Sequence, residues 1–151
     1  MKIFVLVVGL LGLVACGDDD NEISGQTLSG ELNGQSWTFR GGVAKRGGPD
    51  GLTITLADYE EDDPCGFSVY NEIPHVWWFA PDEPVDRELS LQETVVFQVP
   101  DDGDDTLGIS KNVTDGRYVI DEVGPDFVSG GLVASGFGDS VDGQWEVPLC
   151  E

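Results

Sequence analysis

Hydrophobic and polar residues alternate with a period of two along most of this chain. In the clearest segment Leu52, Ile54 and Leu56 occupy every second position, and threonines fill the positions between them. Because successive side chains of a strand point to opposite faces, this pattern predicts a strand that turns its three aliphatic residues inward. Trp37 and Phe39 follow the same rule and predict a second strand with both rings on one face.

Dipeptides that contain glycine lie between or within these alternating segments. Asn33-Gly34 predicts a two-residue hairpin turn, because both central positions of that turn need positive φ. Asp115-Gly116 predicts another hairpin, Asp142-Gly143 predicts the entry to the last strand, and Gly130-Gly131 predicts a bulge or a close backbone approach. The predicted strands cover 25–32, 35–39, 52–56, 67–70, 75–79, 89–99, 107–110, 117–123, 127–137 and 144–150, with a break in alternation at 93–96 and a loop at 80–87.

No segment sustains a helical period of 3.6 over ten residues. Short strands at intervals of roughly ten residues, separated by turn signals, favour an all-β fold. We therefore expect one antiparallel β-sandwich, or a flattened barrel, over residues 25–151.

The start of the chain carries a different pattern. One lysine leads into an apolar run from Ile3 to Val14, which has the length of a signal-peptide core and is too short to span a bilayer. Its end, Leu13-Val14-Ala15-Cys16, resembles the bacterial lipobox. The resemblance implies a signal peptide at 1–15 that is removed, and a lipid-bearing Cys16 at the new N-terminus. The alternative is an ordinary secretory signal with an incidental cysteine.

A lipidated Cys16 implies attachment to a bilayer through its acyl chains, since two or more chains bind a membrane stably. Residues 16–24 then predict a solvated acidic tether, because a run of like charges without apolar residues cannot pack. In Gram-negative lipoproteins an aspartate directly after the lipidated cysteine can retain the protein at the inner membrane. Gly17 stands there instead, so the resemblance favours the outer membrane and leaves open which side of it the protein faces.

The hairpin segment Gly30-x-Leu32-Asn33-Gly34-x-x-Trp37, together with a last strand that ends in a cysteine, resembles small bacterial lipoproteins of unknown function. That resemblance supports the β-sandwich and implies no activity.

Acidic residues outnumber basic ones by 29 to seven, which gives a formal net charge of −22. Such a surface repels nucleic acid, whose binding depends on Lys and Arg at phosphates. The composition therefore excludes nucleic acid as a partner. Cys65 and Cys150 remain as an even pair after Cys16, and in an exported protein they predict one disulfide, with two free thiols as the alternative.

Two binding hypotheses follow from the residues. Ca²⁺ takes six to eight oxygen ligands, and Asp101, Asp102, Asp104 and Asp105 around Gly103 are the best candidates to provide them. The acidic run at 60–63 comes second, and neither segment matches an EF-hand. The alternative for both is a solvated turn, so we expect no cofactor, with Ca²⁺ as the exception.

Trp77 and Trp78 must point to opposite faces of a strand, so one can enter the core while the other faces outward as a platform for a sugar or a partner side chain. The alternative is that the loop at 80–87 covers the outer ring.

Catalytic signals are weak. No Gly-x-Ser-x-Gly elbow is present, and His75 is the only histidine. We expect a non-catalytic lipoprotein of the cell envelope that binds a protein or glycan partner. A Ca²⁺-dependent structural or adhesive module is the alternative, and an envelope hydrolase is the third hypothesis.

Overall fold

The computed structural model describes residues 21–48, 51–68, 73–101 and 104–151, with the backbone alone for 104–107. The described part confirms the all-β prediction: it forms an 11-stranded sheet with one 3-10 turn at Pro64–Gly66 and no α-helix. The strands are β1 Ser29–Leu32, β2 Gln35–Thr38, β3 Gly41–Gly48, β4 Gly51–Ala57, β5 His75–Pro81, β6 Val85–Glu88, β7 Val95–Asp101, β8 Asp104–Val113, β9 Asp115–Val123, β10 Phe127–Gly136 and β11 Asp139–Cys150.

The sheet curls into an open half-barrel with the strand order β6-β9-β10-β11-β3-β4-β5-β7-β8. Outside this order, β1 pairs with β11 on one side and with β2 on the other. All pairings between named strands are antiparallel except the one that joins β11 to β3, where Leu149 lies opposite Ala44 and Cys150 opposite Lys45. We call β1, β2, β6, β9, β10 and β11 half A, and β3, β4, β5, β7 and β8 half B.

The core lies between the two halves. Trp78 of β5 meets Trp145 of β11 edge-on, with 5.4 Å between ring centroids, and also packs beside Tyr118 of β9 at 6.0 Å. The prediction for Leu52, Ile54 and Leu56 is confirmed, because all three side chains are fully buried. Burying an aliphatic side chain of this size stabilises the fold by about 1.5–3 kcal/mol.

Two local predictions are confirmed by the backbone. Asn33 and Gly34 have φ of 54° and 71° and join β1 to β2 in a two-residue turn. The register between β9 and β10 shifts between Ser129 and Gly130, which is the predicted bulge. A Cβ on Gly130 would lie 2.0 Å from the carbonyl oxygen of Val119, so the close approach is present as well.

Two turn predictions are wrong. Asp115-Gly116 begins β9, and Asp142-Gly143 lies inside β11. The turn before β11 is Phe137-Gly138, with φ of 58° and 84°. Both misread glycines have positive φ because they lie against a neighbouring backbone. A Cβ would come within 2.1 Å of a carbonyl oxygen at the first and within 2.6 Å at the second.

Several strand boundaries differ from the prediction. β3 was not predicted because four of its eight residues are glycine, and β6 occupies part of the segment predicted as a loop at 80–87. The segment predicted at 89–99 begins to pair only at Val95, which lies within the predicted break in alternation. Phe67 and Ser68 follow the 3-10 turn outside any strand, and 69–70 lie outside the described residues.

Candidate functional site

Away from the β7–β8 end, where a register shift brings Asp101 opposite Asp104, the described outward strand positions of half B carry no carboxylate. Residues directly opposite each other on paired strands share a face, so the register identifies this set. Its members are Gly41, Val43 and Lys45 on β3, Thr53, Thr55 and Ala57 on β4, His75, Trp77 and Phe79 on β5, Val96, Gln98 and Pro100 on β7, and Gly108, Ser110 and Asn112 on β8. Because the chain has 29 acidic residues, a face with so few carboxylates differs from the composition of the protein as a whole.

The outward face of half A is acidic by the same argument. Its outward carboxylates are Glu31, Asp86, Glu88, Asp115, Glu122, Asp142 and Glu146. Arg117 lies among them and donates two hydrogen bonds to Asp86. The hydrogen bond from this guanidinium holds the pKa of the Asp86 carboxyl below its usual range.

Trp77 and Phe79 form an aromatic pair on the outer face of half B. Their ring centroids lie 5.6 Å apart in an edge-to-face arrangement. Trp77 is half-buried and Phe79 is 38% exposed, whereas Trp78 between them is 1% exposed and lies in the core. The predicted split of the two tryptophans is therefore seen, and Trp77 is the one that faces outward.

Threonine hydroxyl groups border the aromatic pair. Thr55 lies directly across from Trp77, and Thr53 lies directly across from Phe79. Adjacent strands are about 4.8 Å apart, so the backbone of each threonine lies about one strand spacing from the backbone of an aromatic residue. Lys45 continues the same row on β3, opposite Thr53.

A cleft of about 250 Å³ opens beside this row. It is lined by Val43, Lys45, Thr53, Thr55, Phe67 and Ser68. We call the outward side chains that remain accessible here, Lys45, Thr53, Thr55, Trp77, Phe79 and Asn112, the open face.

The wall of the cleft is held by the 3-10 turn. The carboxylate of Asp63 accepts a hydrogen bond from the Cys65 backbone N–H at 3.2 Å, and Cys65 is bonded to Cys150 at the end of β11. The predicted disulfide is thus present. Phe67 then stacks on Tyr59 with centroids 5.1 Å apart and packs over Val43.

Next to the open face, the outer face is covered at His75 and Gln98 and exposed at Ser110. His75 is 4% exposed and Gln98 is 6% exposed, although both point away from the core of the half-barrel. The Nδ1 atom of His75 lies 2.8 Å from the carbonyl oxygen of Ile73, and the Ser110 hydroxyl donates to Gln98 Oε1 at 2.6 Å. Burial lowers the pKa of His75, opposed in part by the hydrogen bond to Ile73. The lone histidine therefore contributes to packing in its neutral form.

The N-terminal segment lies on the opposite side of the molecule. Ser24 N–H donates to Asp142 Oδ1 at 2.8 Å, and Gln144 Nε2 donates to the Ser24 carbonyl at 3.2 Å. Ile23 occupies the notch left by Gly131, where a Cβ would come within 2.7 Å of its methyl group. A groove of about 510 Å³ opens next to this segment, and Gln26, Phe39, Asp121 and Glu146 are among its lining residues.

Contact between Trp78 and Trp145 across the core fixes this opposition. Because the two rings point toward each other, their outward-pointing neighbours Trp77 and Gln144 lie on opposite sides of the half-barrel. The segment that contains Ser24 therefore lies on the acidic side, away from the open face.

The remaining predicted site residues are only partly described. Cys16 and Asp102 lie outside the described residues, and no side-chain position is given for Asp104 and Asp105. Lipidation and calcium binding stay predictions. No cluster of three or more His, Cys, Asp or Glu side chains that could hold a metal ion occurs in the part of the chain that the structure describes.

Sequence reasoning found Trp77 and missed the residues around it. The outward direction of Thr53 and Thr55 could have been predicted, because the alternation that turns Leu52 and Leu56 inward must turn the threonines outward. The position of Lys45 on this face could not be predicted, because the glycine-rich strand β3 shows no alternating pattern.

Comparison with known proteins finds no matching family model, no matching curated protein and no matching solved structure. Within the described residues, no helix has the length and apolar character needed to cross a membrane.

Proposed function

We propose that this chain is an exported, lipid-anchored lipoprotein of the cell envelope that binds a partner non-catalytically on its open face. The observation that carries the proposal is the absence of carboxylates at the described outward strand positions around Trp77 and Phe79. A partner that lies there meets two rings, two hydroxyl groups and a cleft. Binding sites of this kind combine aromatic surface with a few placed polar groups.

Export is supported by the resemblance of Leu13-Val14-Ala15-Cys16 to a lipobox and by the disulfide, which belongs to an oxidising compartment. The position of Ser24 on the acidic side supports a tether that leaves the open face accessible. Gly17 after the lipidated cysteine favours the outer membrane. The partner is an envelope protein or a glycan.

Fractionation tests the anchor. The full chain, expressed with its own leader in a Gram-negative bacterium, should be recovered with the membranes, and the Cys16→Ser variant should be recovered in the soluble fraction. Retention of the Cys16→Ser variant in the membrane would contradict lipid anchoring.

Photo-crosslinking in the same cells tests the face. A photo-crosslinking amino acid replaces Thr53 on the open face or, as a matched control, Ser135 on the outward face of half A. Both positions lie on strands and point outward. We expect covalent adducts from position 53 and not from position 135. No adduct from position 53, or equal adducts from both positions, would contradict the proposed site.

A further inference from the structure

We infer that the ligand of the open face is an uncharged glycan that stacks on Trp77 and accepts or donates hydrogen bonds at Thr53 and Thr55. This inference rests on the proposed function and names the chemical class of its ligand.

Charge on the two sides of the molecule excludes the other ligand classes. A cationic ligand would find no carboxylate at the described outward strand positions around Trp77 and Phe79, although it would find several on half A. An anionic ligand would have to approach a protein of net charge −22, and the open face offers Lys45 as its one cation. Like charges raise the cost of association, so the ligand that fits this face carries no charge.

The size of the open face points to a small or narrow ligand. A standard protein interface uses about 20–30 residues on each side. The open face has six side chains, of which Trp77 and Phe79 are the aromatic ones. Thr53 and Thr55 supply hydrogen-bonding groups directly beside the rings.

A sugar ring matches this arrangement. It presents apolar C–H groups on its faces and hydroxyl groups on its edges, so one face can lie on Trp77 while the edge reaches a threonine. Residues two apart on a strand are about 7 Å apart, so Trp77 and Phe79 form a short shelf along β5. The cleft at Val43, Phe67 and Ser68 continues this shelf across β4 and gives room for further sugar units.

Affinity electrophoresis tests the inference on the folded, disulfide-bonded protein. Native gels contain dextran, soluble starch, galactomannan, xyloglucan or hydroxyethylcellulose as neutral probes, and polygalacturonate as the anionic control. We expect retardation in at least one neutral gel and none in polygalacturonate. Retardation in polygalacturonate alone, or in no gel, would overturn the glycan inference.

Variants then locate the site. Trp77→Ala should weaken binding about thirtyfold, as for an aromatic residue at the centre of an interface. Phe137→Ala is the matched control, because Phe137 is an aromatic residue that is 70% exposed at the β10–β11 turn and does not belong to the open face. It should bind as the wild type does. Equal loss in both variants would overturn the inference.

A second pair of variants removes any dependence on how well Trp77→Ala folds. Thr53→Val and Thr55→Val keep the branched shape and remove only the hydroxyl group, so the strand should be retained. Each should weaken binding by about tenfold, the effect of one hydrogen bond. Unchanged binding in both would contradict hydrogen bonding by these residues.

The outcomes separate this inference from the proposed function. Protein adducts from position 53 combined with no retardation by neutral polysaccharides would overturn the glycan inference and leave the binding face standing. Absence of both adducts and retardation would overturn both.

Discussion

The two outward faces of this half-barrel have opposite chemistry although one continuous sheet forms them. On half A, residues such as Glu122, Asp142 and Glu146 point outward, and the N-terminal segment lies over the strands. On half B, the described outward strand positions around Trp77 and Phe79 hold neutral side chains and Lys45. The negative charge is therefore carried mainly by half A and by the loops. The surface where we propose that binding occurs does not share it.

This difference shows how a strongly acidic protein can offer a neutral surface. Exposed carboxylates on the outward face of half A contribute little to the fold, because surface charges are well solvated. The outer side of half B instead has a partial cover from Phe67 and the disulfide, which leaves Trp77 and Phe79 accessible beside it. Changes that loosen this cover or open the curl of the sheet should disturb half B more than half A.

Removal of the disulfide should have the largest effect on stability. Cys65 and Cys150 are 85 residues apart, and closing a loop of that size contributes about 4–5 kcal/mol in the chain-entropy model. The Cys65→Ser/Cys150→Ser variant should unfold at correspondingly lower urea concentration. Hydrogen exchange should rise in 58–68 and β3 while β9 and β10 keep their protection. Uniform exchange across both halves would contradict a local cover on half B.

The ion pair between Lys111 and Asp139 should have the next largest effect. It joins β8, at the edge of half B, to the start of β11 in half A, with Nζ and Oδ2 2.7 Å apart and the Asp139 side chain 3% exposed. Asp139 also accepts a hydrogen bond from the Asn33 backbone N–H. Lys111→Met leaves a buried carboxylate without its cation and should destabilise the fold by about 3 kcal/mol or more.

Arg117 provides the matched control for this pair. It pairs with Asp86 on the outward face of half A, where both side chains are more than one-third exposed. Arg117→Met should change the free energy of unfolding by less than about 1 kcal/mol. If urea denaturation gives equal losses for the two variants, the pair at Asp139 does not hold the halves together.

The sequence alone predicted those elements whose residue pattern is set by a single physical requirement. Alternation at Leu52, Ile54 and Leu56 is set by the core, and the turn at Asn33-Gly34 is set by local backbone geometry. β3 was missed because its glycines carry no side chain to show a pattern. Asp115-Gly116 and Asp142-Gly143 were misread because positive φ arises from close strand packing as well as from chain reversal.

The site was predictable in part. Two adjacent tryptophans on a strand must separate, so an outward ring was certain, but which of them faced outward depended on the inner partner Trp145 of a distant strand. The absence of carboxylates around Trp77 depends on β4 and β7 lying next to β5, with β3 and β8 beyond them, which is a property of strand order. A single sequence does not give strand order, so the charge difference between the two faces could not be predicted.

His75 makes a smaller, pH-dependent contribution on the covered part of half B. The pKa of His75 is about 6.5 in the unfolded chain and is lowered by burial in the folded protein. At a pH between the folded pKa and the unfolded pKa, the unfolded chain therefore binds the proton more readily. The free energy of unfolding should therefore fall as the pH drops below about 6.5. Urea denaturation at about pH 7.5 and about pH 5.5 should show this fall in the wild type and a smaller one in His75→Gln. Equal falls would assign the pH dependence to carboxylates instead.

Calcium should have the smallest effect, because the β7–β8 connection is short for a calcium-binding loop. β7 and β8 pair Asp101 directly with Asp104, so the connection between them is only two residues long. Ca²⁺ needs six to eight oxygens, which an EF-hand collects from a loop of about 12 residues. A site loaded at a hundred times its Kd would add about 2.7 kcal/mol and raise Tm by roughly 10 °C. We expect thermal melts in EDTA, Mg²⁺ and Ca²⁺ at equal ionic strength to coincide. A rise in Tm with Ca²⁺ alone would establish the acidic loops as ligands and favour the calcium-dependent module over the glycan-binding one.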